Sequence, residues 1–329
     1  MMSSAGSSSI GPNSKSPSPM GGAGGGGGAD DKSPGKMGGR VVREIPPLGF
    51  GTYDISPESV HHAVMSGFRH FDCACSYGNE KRIGLVLKAD IETAAISREE
   101  LFLTSKYPHL PTDMDDLRST VDKSLADMQT DYFDLYLIHH PGGWTKDTLA
   151  EAWGNMLQLK EKGKVIEIGV SNFYPNAIRT LMDICKENGW EPPYINQIET
   201  HLYDPETELI ELCEASGVRV AAHTPLGGLA SKILMQNPTI KKIAEEQAET
   251  LGKPISPSQV ILAWEMKRGL SVIPKSNTPE HIIENFHTSE IELSIAQFDE
   301  INAVARDSLG FPFVGNAQDQ KIYDDSHKS

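Results

Sequence analysis

The chain has 329 residues, of which 38% are hydrophobic, and its 45 acidic and 30 basic residues give a formal net charge of −15. This acidic balance argues against nucleic acid and against an anionic membrane surface as partners, because both attract clustered Lys and Arg. No apolar run approaches the roughly 18 residues that a membrane-spanning helix needs.

Residues 1–40 differ in composition from the rest of the chain. Gly, Ser and Pro make up 25 of these 40 residues, and none is aromatic. Such a segment cannot bury enough apolar surface to offset the entropy of ordering it. We therefore predict a disordered tail over 1–40 and a single domain over 41–329. The four scattered cysteines and the lack of an apolar signal region predict free thiols and a cytoplasmic protein, or a plastid one if the tail is a targeting segment.

From Val41 onward, short β-branched runs alternate with amphipathic helical patterns. The predicted strands are Leu48–Gly51, Arg69–Cys73, Leu101–Ser105, Tyr132–His139, Val165–Val170, Tyr194–Glu199, Val218–His223 and Leu270–Pro274. Helical patterns between them include Pro57–Met65, Leu117–Met128, Leu149–Lys160, Ala177–Glu187, Glu206–Ala215 and Ser258–Lys267. Ser56 and Ser256, each followed by proline, are typical of helix N-caps.

The repeating strand–helix pattern predicts an α/β fold with a parallel sheet. Runs such as LYLI and VIEIGV are apolar at consecutive positions, as expected when both faces of a sheet are covered. Eight such strands match a closed (β/α)₈ barrel, also called a TIM barrel. A doubly wound sheet is the alternative, but GFGTYDI after the first strand is not the glycine-rich fingerprint that such sheets usually carry.

In barrels of this kind the active site lies at the carboxyl ends of the strands. Polar residues are concentrated there: Gly51-Thr52-Tyr53, Asp72, Lys106, His139, Ser171-Asn172, Gln197, His223 and Lys275-Ser276. Taken singly, each could belong to an ordinary solvated rim. Their concentration at one end of the barrel favours a functional site.

Three of these residues, together with Tyr77, suggest a site that delivers a proton to a carbonyl group. Asp72 and Lys106 end neighbouring strands and are expected to form an ion pair, which could also be purely structural. Tyr77 follows Asp72 closely, and a neighbouring lysine is expected to lower the pKa of its phenol so that it can donate a proton near neutral pH. His139 would donate a hydrogen bond to the substrate oxygen. Neither a metal nor a nucleophile is required.

Several motifs together resemble the aldo-keto reductases. GFRHFDCACSYGNEKRIG is similar to the first signature of that family, and LFLTSK, DLYLIHHP, GKVIEIGVSNF, NQIE and VIPKSNTPEHIIEN follow in family order from about Pro46 to Val304. The resemblance implies a barrel enzyme that uses NADPH, with Tyr77 as general acid, Lys106 and Asp72 as the groups that tune its pKa, and His139 orienting the carbonyl.

The same resemblance assigns the binding residues. It implies cofactor contacts from Gly51, Thr52, Ser171, Asn172, Gln197, His223, Thr224, Leu226, Lys275, Ser276, Asn277, His281, Glu284 and Asn285. Within that set, Ser171, Asn172 and Gln197 would hold the nicotinamide carboxamide, and Glu284 and Asn285 would contact the adenine. Substrate contacts would come from Tyr53, His139 and His140.

Three departures from the family pattern bear on the substrate and the cofactor. His140 stands where most relatives have tryptophan, and because neighbouring strand residues face opposite sides, it need not share the role of His139. His223, within AAHTPLGG, replaces a tyrosine that usually stacks on the nicotinamide. In this replacement the chain resembles the aldose-6-phosphate (mannose-6-phosphate) reductase group. The loop after Pro141 is shorter than in that group and predicts a more open pocket.

A fourth departure concerns the phosphate of the cofactor. His281 replaces the arginine that usually meets the 2′-phosphate of NADP, and a neutral imidazole is a weaker phosphate partner than a guanidinium. Lys275 remains as a point charge, and Asn277 could accept a hydrogen bond from a ribose hydroxyl. We therefore expect NADPH to be preferred and NADH to be usable.

These observations predict an NADPH-dependent reductase of an aldehyde or aldose, with an aldose 6-phosphate such as mannose 6-phosphate as the narrower candidate. A general aldehyde or xylose-type reductase, or a barrel that binds NADP(H) without turnover, are the alternatives. A sugar phosphate would need a basic partner, for which Lys146 and Lys321 are suggested by their loop positions. The resemblance implies that the segment with Phe311 and Phe313 folds over the barrel mouth, and a disordered tail is the alternative. We expect a monomer or a weak dimer.

Overall fold

A computed structural model describes residues 36–37, 40–41 and 43–307 of the chain. Lys36–Met37 pairs antiparallel with Arg40–Val41, so a short paired segment spans the predicted boundary at residue 40. The rest of the predicted tail lies outside the described residues. So do the C-terminal segment after residue 307 and, with it, Phe311, Phe313 and Lys321. The division into a tail and one domain therefore stays a prediction.

Eight parallel strands form the sheet that the sequence predicts, and their order in the sheet is their order in the chain. They are β1 Phe50–Gly51, β2 His70–Asp72, β3 Phe102–Tyr107, β4 Phe133–Ile138, β5 Val165–Ser171, β6 Ile195–Glu199, β7 Arg219–His223 and β8 Ser271–Ile273. All eight lie within one residue or two of the predicted runs. The predicted (β/α)₈ fold is confirmed.

The first and last strands meet and close the barrel. Leu48 forms a parallel bridge with Val272, and the Gly49 amide donates to the Val272 carbonyl at 2.8 Å. The Gly51 amide donates to the Pro274 carbonyl at 2.9 Å. Gly49 is required at this seam, because a Cβ there would lie 2.5 Å from Nδ1 of His70. The backbone of residues 48–51 is thereby held against the end of the last strand.

Helices connect the strands and cover the outside of the barrel. They are α1 Pro57–Ser66, α2 Glu80–Glu92, α3 Met114–Asp127, α4 Lys146–Glu161, α5 Pro175–Asn188, α6 Thr207–Ala215, α7 Ser231–Leu234, α8 Pro238–Leu251, α9 Pro257–Lys267, α10 Pro279–Phe286 and α11 Ile295–Asp307. None of these described helices is long and apolar enough to cross a membrane.

Several helices begin earlier than their apolar pattern suggests. The side chain of Asp113 accepts from the amides of Asp115 and Asp116, so α3 starts about one turn before Leu117. Thr145 caps α4 in the same way before its first buried leucine. The polar first turn carries no hydrophobic periodicity, and the caps rather than the apolar residues define where it starts. The predicted caps at Ser56 and Ser256 are confirmed, since each accepts from an amide three residues on.

Helix α6 begins later than the sequence predicts, at Thr207 and not at Glu206. Glu206 has a left-handed backbone (φ 43°) and forms the N-cap instead.

The core consists of an inner cluster within the barrel and larger clusters between strands and helices. Phe102, Leu135, Leu137, Ile195 and Ile273 belong to the inner cluster. Alternate residues of the same strands face the helices, which explains why the strands are apolar at consecutive positions. The four cysteines are free thiols, as predicted. A filled interior leaves the carboxyl ends of the strands as the place for a site.

Candidate active site

The four residues predicted to deliver a proton lie together at the carboxyl ends of β2, β3 and β4. Nζ of Lys106, in β3, lies 2.5 Å from Oδ2 of Asp72, the last residue of β2. Tyr77 lies in a short 3₁₀ turn after β2, and its hydroxyl is 3.2 Å from the same nitrogen. His139 follows β4 directly, with its ring centroid 5.8 Å from that of Tyr77.

Lys106 is a fully buried cation whose charge is held by its neighbours. Its side chain has no exposed area, and its amino group also donates to the Cys73 carbonyl at 3.0 Å. Burial is the largest single effect and lowers the pKa of Lys106, but Asp72 and Tyr77 together outweigh burial and the net pKa is raised. Lys106 therefore stays charged across the physiological range.

The phenol of Tyr77 differs from the expectation. Lys106 does lower its pKa, but burial of the ring is the larger effect, and the net pKa of Tyr77 is raised above its usual value of 10. The expectation of a lowered pKa was wrong because it counted the neighbouring charge and not the loss of water around the phenolate. Tyr77 therefore carries its proton at neutral pH in the unliganded chain.

Gln197 is hydrogen-bonded to the carboxylate of Asp72. Its Nε2 donates to Oδ1 of Asp72 at 2.8 Å, and Ser171 donates its hydroxyl proton to the Gln197 carbonyl at 2.8 Å. Asp72 is therefore fixed from two sides, by Lys106 and by Gln197. Gln197, which is predicted to contact the nicotinamide, therefore also orients the ion pair.

His139 and His140 form a stacked pair. Their ring centroids lie 4.4 Å apart and their planes differ by 14°. Strand alternation does not separate the two rings, because β4 ends at Ile138 and strict alternation ends with it. Burial, the charge of Lys106 and the neighbouring histidines lower the pKa of both imidazoles, that of His140 to about 4. Both rings are therefore neutral at physiological pH, and Ser76 Oγ lies 3.3 Å from Nδ1 of His139.

Asn172 connects the histidine pair to His223. Its Nδ2 donates to the His139 carbonyl at 3.0 Å and lies 3.1 Å from Nδ1 of His140. Its Oδ1 lies 3.0 Å from Nε2 of His223, whose Nδ1 is 3.1 Å from the Thr224 hydroxyl. If the amide nitrogen faces His140, then Nε2 of His223 carries the proton. Asn172 and Thr224 both have positive φ, 60° and 55°, and such strain in non-glycine residues clusters at functional sites.

The predicted phosphate-binding residues are engaged with the loop after β1. Lys275 donates to the Tyr53 carbonyl at 3.0 Å, with its nitrogen 5.0 Å from the Tyr53 ring centre. Oδ1 of Asn277 accepts from the Ser56 amide at 2.9 Å and from the Ser59 hydroxyl at 3.0 Å. Asn277 was expected to accept from a ribose hydroxyl, but in this arrangement its oxygen already has two donors.

The other predicted binding residues lie around the same rim. The Thr52 hydroxyl donates to the Asp72 carbonyl at 2.9 Å, and a Cβ at Gly51 would lie 3.4 Å from the Ile273 side chain. Tyr53 is exposed, and its ring makes an edge contact with that of Tyr77 at 5.2 Å. The remaining residues are half-buried Leu226 after β7, Ser276 before α10, and, on α10, exposed His281, half-buried Glu284 and buried Asn285.

Two residues that the sequence analysis did not single out also hold the site. Ser76 contacts His139, and Nδ2 of Asn79 donates to the Thr52 carbonyl at 2.7 Å. Both flank Tyr77 within the stretch SYGN. Polar residues next to a candidate proton donor were the available signal, although their partners on other strands could not be read from the sequence.

Lys146, suggested as a partner for a sugar phosphate, is paired with Glu187. The two side chains meet at 2.8 Å, and about half of each is exposed. Its charge is thus shared with a carboxylate on α5. This pairing gives no support to a dedicated phosphate role.

The burial of His70 indicates that the stability of the folded protein decreases in acid. Burial lowers its pKa to about 4 in the folded chain, against 6.5 when unfolded, so the unfolded state binds more protons between these values. Protonation linked to His70 should therefore lower the free energy of unfolding by up to about 3 kcal/mol as the pH falls from 6.5 to 4. Urea denaturation at pH 7 and pH 4.5 measures it. His70→Phe should show a smaller drop, and an unchanged drop would contradict the assignment.

Comparisons with known proteins agree with this geometry. A family model described as the Aldo/keto reductase family matches residues 49–306. Aldo-keto reductase family 4 member C11 of Arabidopsis thaliana is 33% identical over 293 residues, which cover 82% of this chain and 90% of that protein. NAD(P)H-dependent D-xylose reductase of Candida tenuis is 33% identical over 78% of this chain and 88% of its own length. The crystal structure of MGS-M4, an aldo-keto reductase enzyme from a Medee basin deep-sea metagenome library, superposes with a TM-score of 0.72 at 33% identity, covering 80% of this chain and 92% of that one.

Proposed function

The chain belongs to the aldo/keto reductase family, and on that premise we propose that it reduces an aldehyde or aldose to the alcohol with NADPH and with Tyr77 as general acid. Members of this family are oxidoreductases that act on carbonyls and alcohols with NADP(H), some of them with NADH. The observation that carries the proposal is the Tyr77 hydroxyl, which lies 3.2 Å from a buried lysine that is itself paired with Asp72.

The polar groups on the rim fit a nicotinamide cofactor. Asn172, Gln197 and Ser171 offer amide and hydroxyl groups at the ends of β5 and β6, which suit a carboxamide, and Lys275 and Ser276 precede α10, where a cation and a hydroxyl suit a phosphate. When bound, the reduced nicotinamide supplies the hydride for the carbonyl carbon. Since Lys275 and Asn277 contact the loop after β1, we expect cofactor binding to exchange some of these contacts.

The proton that the carbonyl oxygen gains would come from a residue of the chain. Tyr77 would donate its hydroxyl proton to the carbonyl oxygen as negative charge develops there. Lys106 would stabilise the phenolate that remains, and Asp72 keeps Lys106 charged and in place. His139, which is neutral, would donate a hydrogen bond to the same oxygen. Each of these groups acts more strongly because the site is buried.

The substrate is best tested with a panel of carbonyl compounds. Xylose, methylglyoxal, an aromatic aldehyde, glucose 6-phosphate and mannose 6-phosphate differ in size, polarity and charge. An unphosphorylated aldehyde or aldose is favoured as the substrate by the exposed rim at Tyr53 and by the xylose reductase among the relatives. We expect the highest kcat/KM for the unphosphorylated compounds. No turnover of any member would contradict the proposed function.

An aldose 6-phosphate is the second candidate, and the observation that favours it is His223. This residue contacts Asn172 and resembles the marker of that reductase group. A kcat/KM for mannose 6-phosphate that exceeds that for xylose and for the aromatic aldehyde would establish this candidate over the first.

A change at His281 should alter cofactor preference. His281 is exposed on α10, and His281→Arg would place a guanidinium where the resemblance puts the 2′-phosphate. Hydrogen bonds to charged groups contribute about 1.5–3 kcal/mol, so the affinity for NADPH should rise on the order of tenfold. Fluorescence titrations with both cofactors measure it. NADH lacks the phosphate and serves as the control, and an equal change for both cofactors would refute the placement.

A further inference from the structure

A buried carboxylate lies directly behind the site, and the mechanism above does not use it. Glu80 is the first residue of α2 and is only 4% exposed. Its Oε1 accepts from the Ser105 hydroxyl at 2.6 Å, and its Oε2 accepts from the Ser124 hydroxyl at 2.7 Å. One side chain therefore connects three elements, namely α2, β3 and α3.

Helix chemistry alone does not require this carboxylate to be buried. An acidic residue in the first turn stabilises a helix equally well when it is exposed to water. Burial raises the pKa of Glu80, and only the two serine hydroxyls counter that effect by direct hydrogen bonds. A buried charge without full partners is costly, and apolar residues often fill such places at no loss of stability. The presence of a buried carboxylate at position 80 therefore needs a reason other than the stability of the helix.

That geometry joins the two halves of the candidate active site. Ser105 immediately precedes Lys106 on β3, and because side chains alternate along a strand, Ser105 faces the helices while Lys106 faces the barrel interior. Glu80 follows Tyr77 by three residues, and Gly78 in between has a left-handed backbone (φ 68°) that turns the chain into α2. The bond between Glu80 and Ser105 thus holds the turn of Tyr77 against the strand of Lys106.

We propose that Glu80 is a positioning residue for carbonyl reduction, which keeps the Tyr77 hydroxyl in contact with Lys106 by fixing α2 to β3 through Ser105. The inference rests on the proposed function, because it is the proton transfer from Tyr77 that would suffer. Asn79 supports the same turn from the other side through the Thr52 carbonyl. A displacement of about 1 Å at a reacting group can lower a rate by about 100-fold.

The two serines make the proposal testable, since each removes one half of the contact. Ser105→Ala releases α2 from β3, and Ser124→Ala releases it from α3 only. We expect Ser105→Ala to lower kcat at least tenfold with an unchanged Kd for NADPH, because the cofactor residues lie on other strands. Ser124→Ala should keep kcat within about twofold of the wild-type value, although both variants lose one buried hydrogen bond of similar length.

A matched control separates positioning from stability. Asp134 is also a buried carboxylate, but it lies near the amino end of β4 and pairs with Arg43 and Arg98. Asp134→Asn should lower the melting temperature and leave kcat unchanged. Glu80→Gln, which can still accept from Ser105 through its amide oxygen, should recover most of the activity that Glu80→Ala loses.

Two outcomes would overturn the proposal. One is an equal loss of kcat in Ser105→Ala and Ser124→Ala, in proportion to their melting temperatures. The other is wild-type kcat in both Ser105→Ala and Glu80→Ala. Tyr77→Phe distinguishes these results from a failure of the proposed proton transfer: if that variant keeps full activity, Tyr77 is not the acid, whereas if it is inactive while Ser105→Ala is fully active, only the role of Glu80 is wrong.

Discussion

Tyr77→Phe is expected to lower kcat for carbonyl reduction by about 10²–10⁴-fold, the range that general acid catalysis usually contributes. The variant lacks only the hydroxyl that lies 3.2 Å from Lys106, and its ring can keep the edge contacts with Tyr53 and His139. The loss should appear in single-turnover measurements, in which a premixed complex with NADPH meets the aldehyde. These report the chemical step without the release of product.

Cofactor binding is the control for this variant. The residues expected to hold NADPH lie at or after the ends of β1 and β5 to β8 and on α10, and Tyr77 is not among them, so the Kd for NADPH should match that of the wild type within about twofold. The unfolding midpoint should also change little, since the phenol makes one hydrogen bond that water can replace. Reduction at the wild-type rate would remove Tyr77 from its role as the acid and leave Lys106 as the next residue to test.

Lys106→Met is expected to lower the free energy of unfolding by about 3–5 kcal/mol, because it leaves a buried carboxylate without its cation. Asp72 is 3% exposed and would keep only the bond from Gln197. The variant should also lose reduction, since the phenolate of Tyr77 would have no cation beside it. Guanidinium chloride denaturation at pH 7 measures the first effect, and the aldehyde assay measures the second.

A double variant separates these two effects. Asp72→Asn with Lys106→Met removes both charges, so most of the stability should return while activity stays low. Stability that remains low in the double variant would mean that the loss arises from packing around residue 106 and not from the unpaired charge. Recovered activity would contradict the role of Lys106 in the proton transfer.

The fold was readable from the sequence because several barrel strands are apolar at consecutive positions and polar residues lie at or just after the strand ends. That pattern located Asp72, Lys106 and His139 at strand ends before any coordinates, and parallel strands bring such ends to one rim. The resemblance to a family extended this to the cofactor residues. Helix starts were less accurate, because Asp113 and Thr145 act one turn before the first buried side chain.

The details of the site depend on contacts between distant residues, which a linear pattern does not contain. The pKa of Tyr77 is a balance between burial and the charge of Lys106, and the sequence shows only the charge. The stack of His139 and His140 depends on where β4 ends, to within one residue. The two donors to Asn277 come from Ser56 and Ser59 at the start of α1, most of the chain away.

The seam between β1 and β8 affects the order in which the protein can become active. Leu48 and Val272 are separated by most of the chain, so this contact is among the last that a growing polypeptide can make. The residues beyond the seam, Tyr53 on one side and Lys275 on the other, are also brought together by it. A chain that has not closed its barrel therefore lacks a complete rim. Ligands that bind only the complete rim would shift the equilibrium toward the closed barrel and act as folding aids as well as reactants.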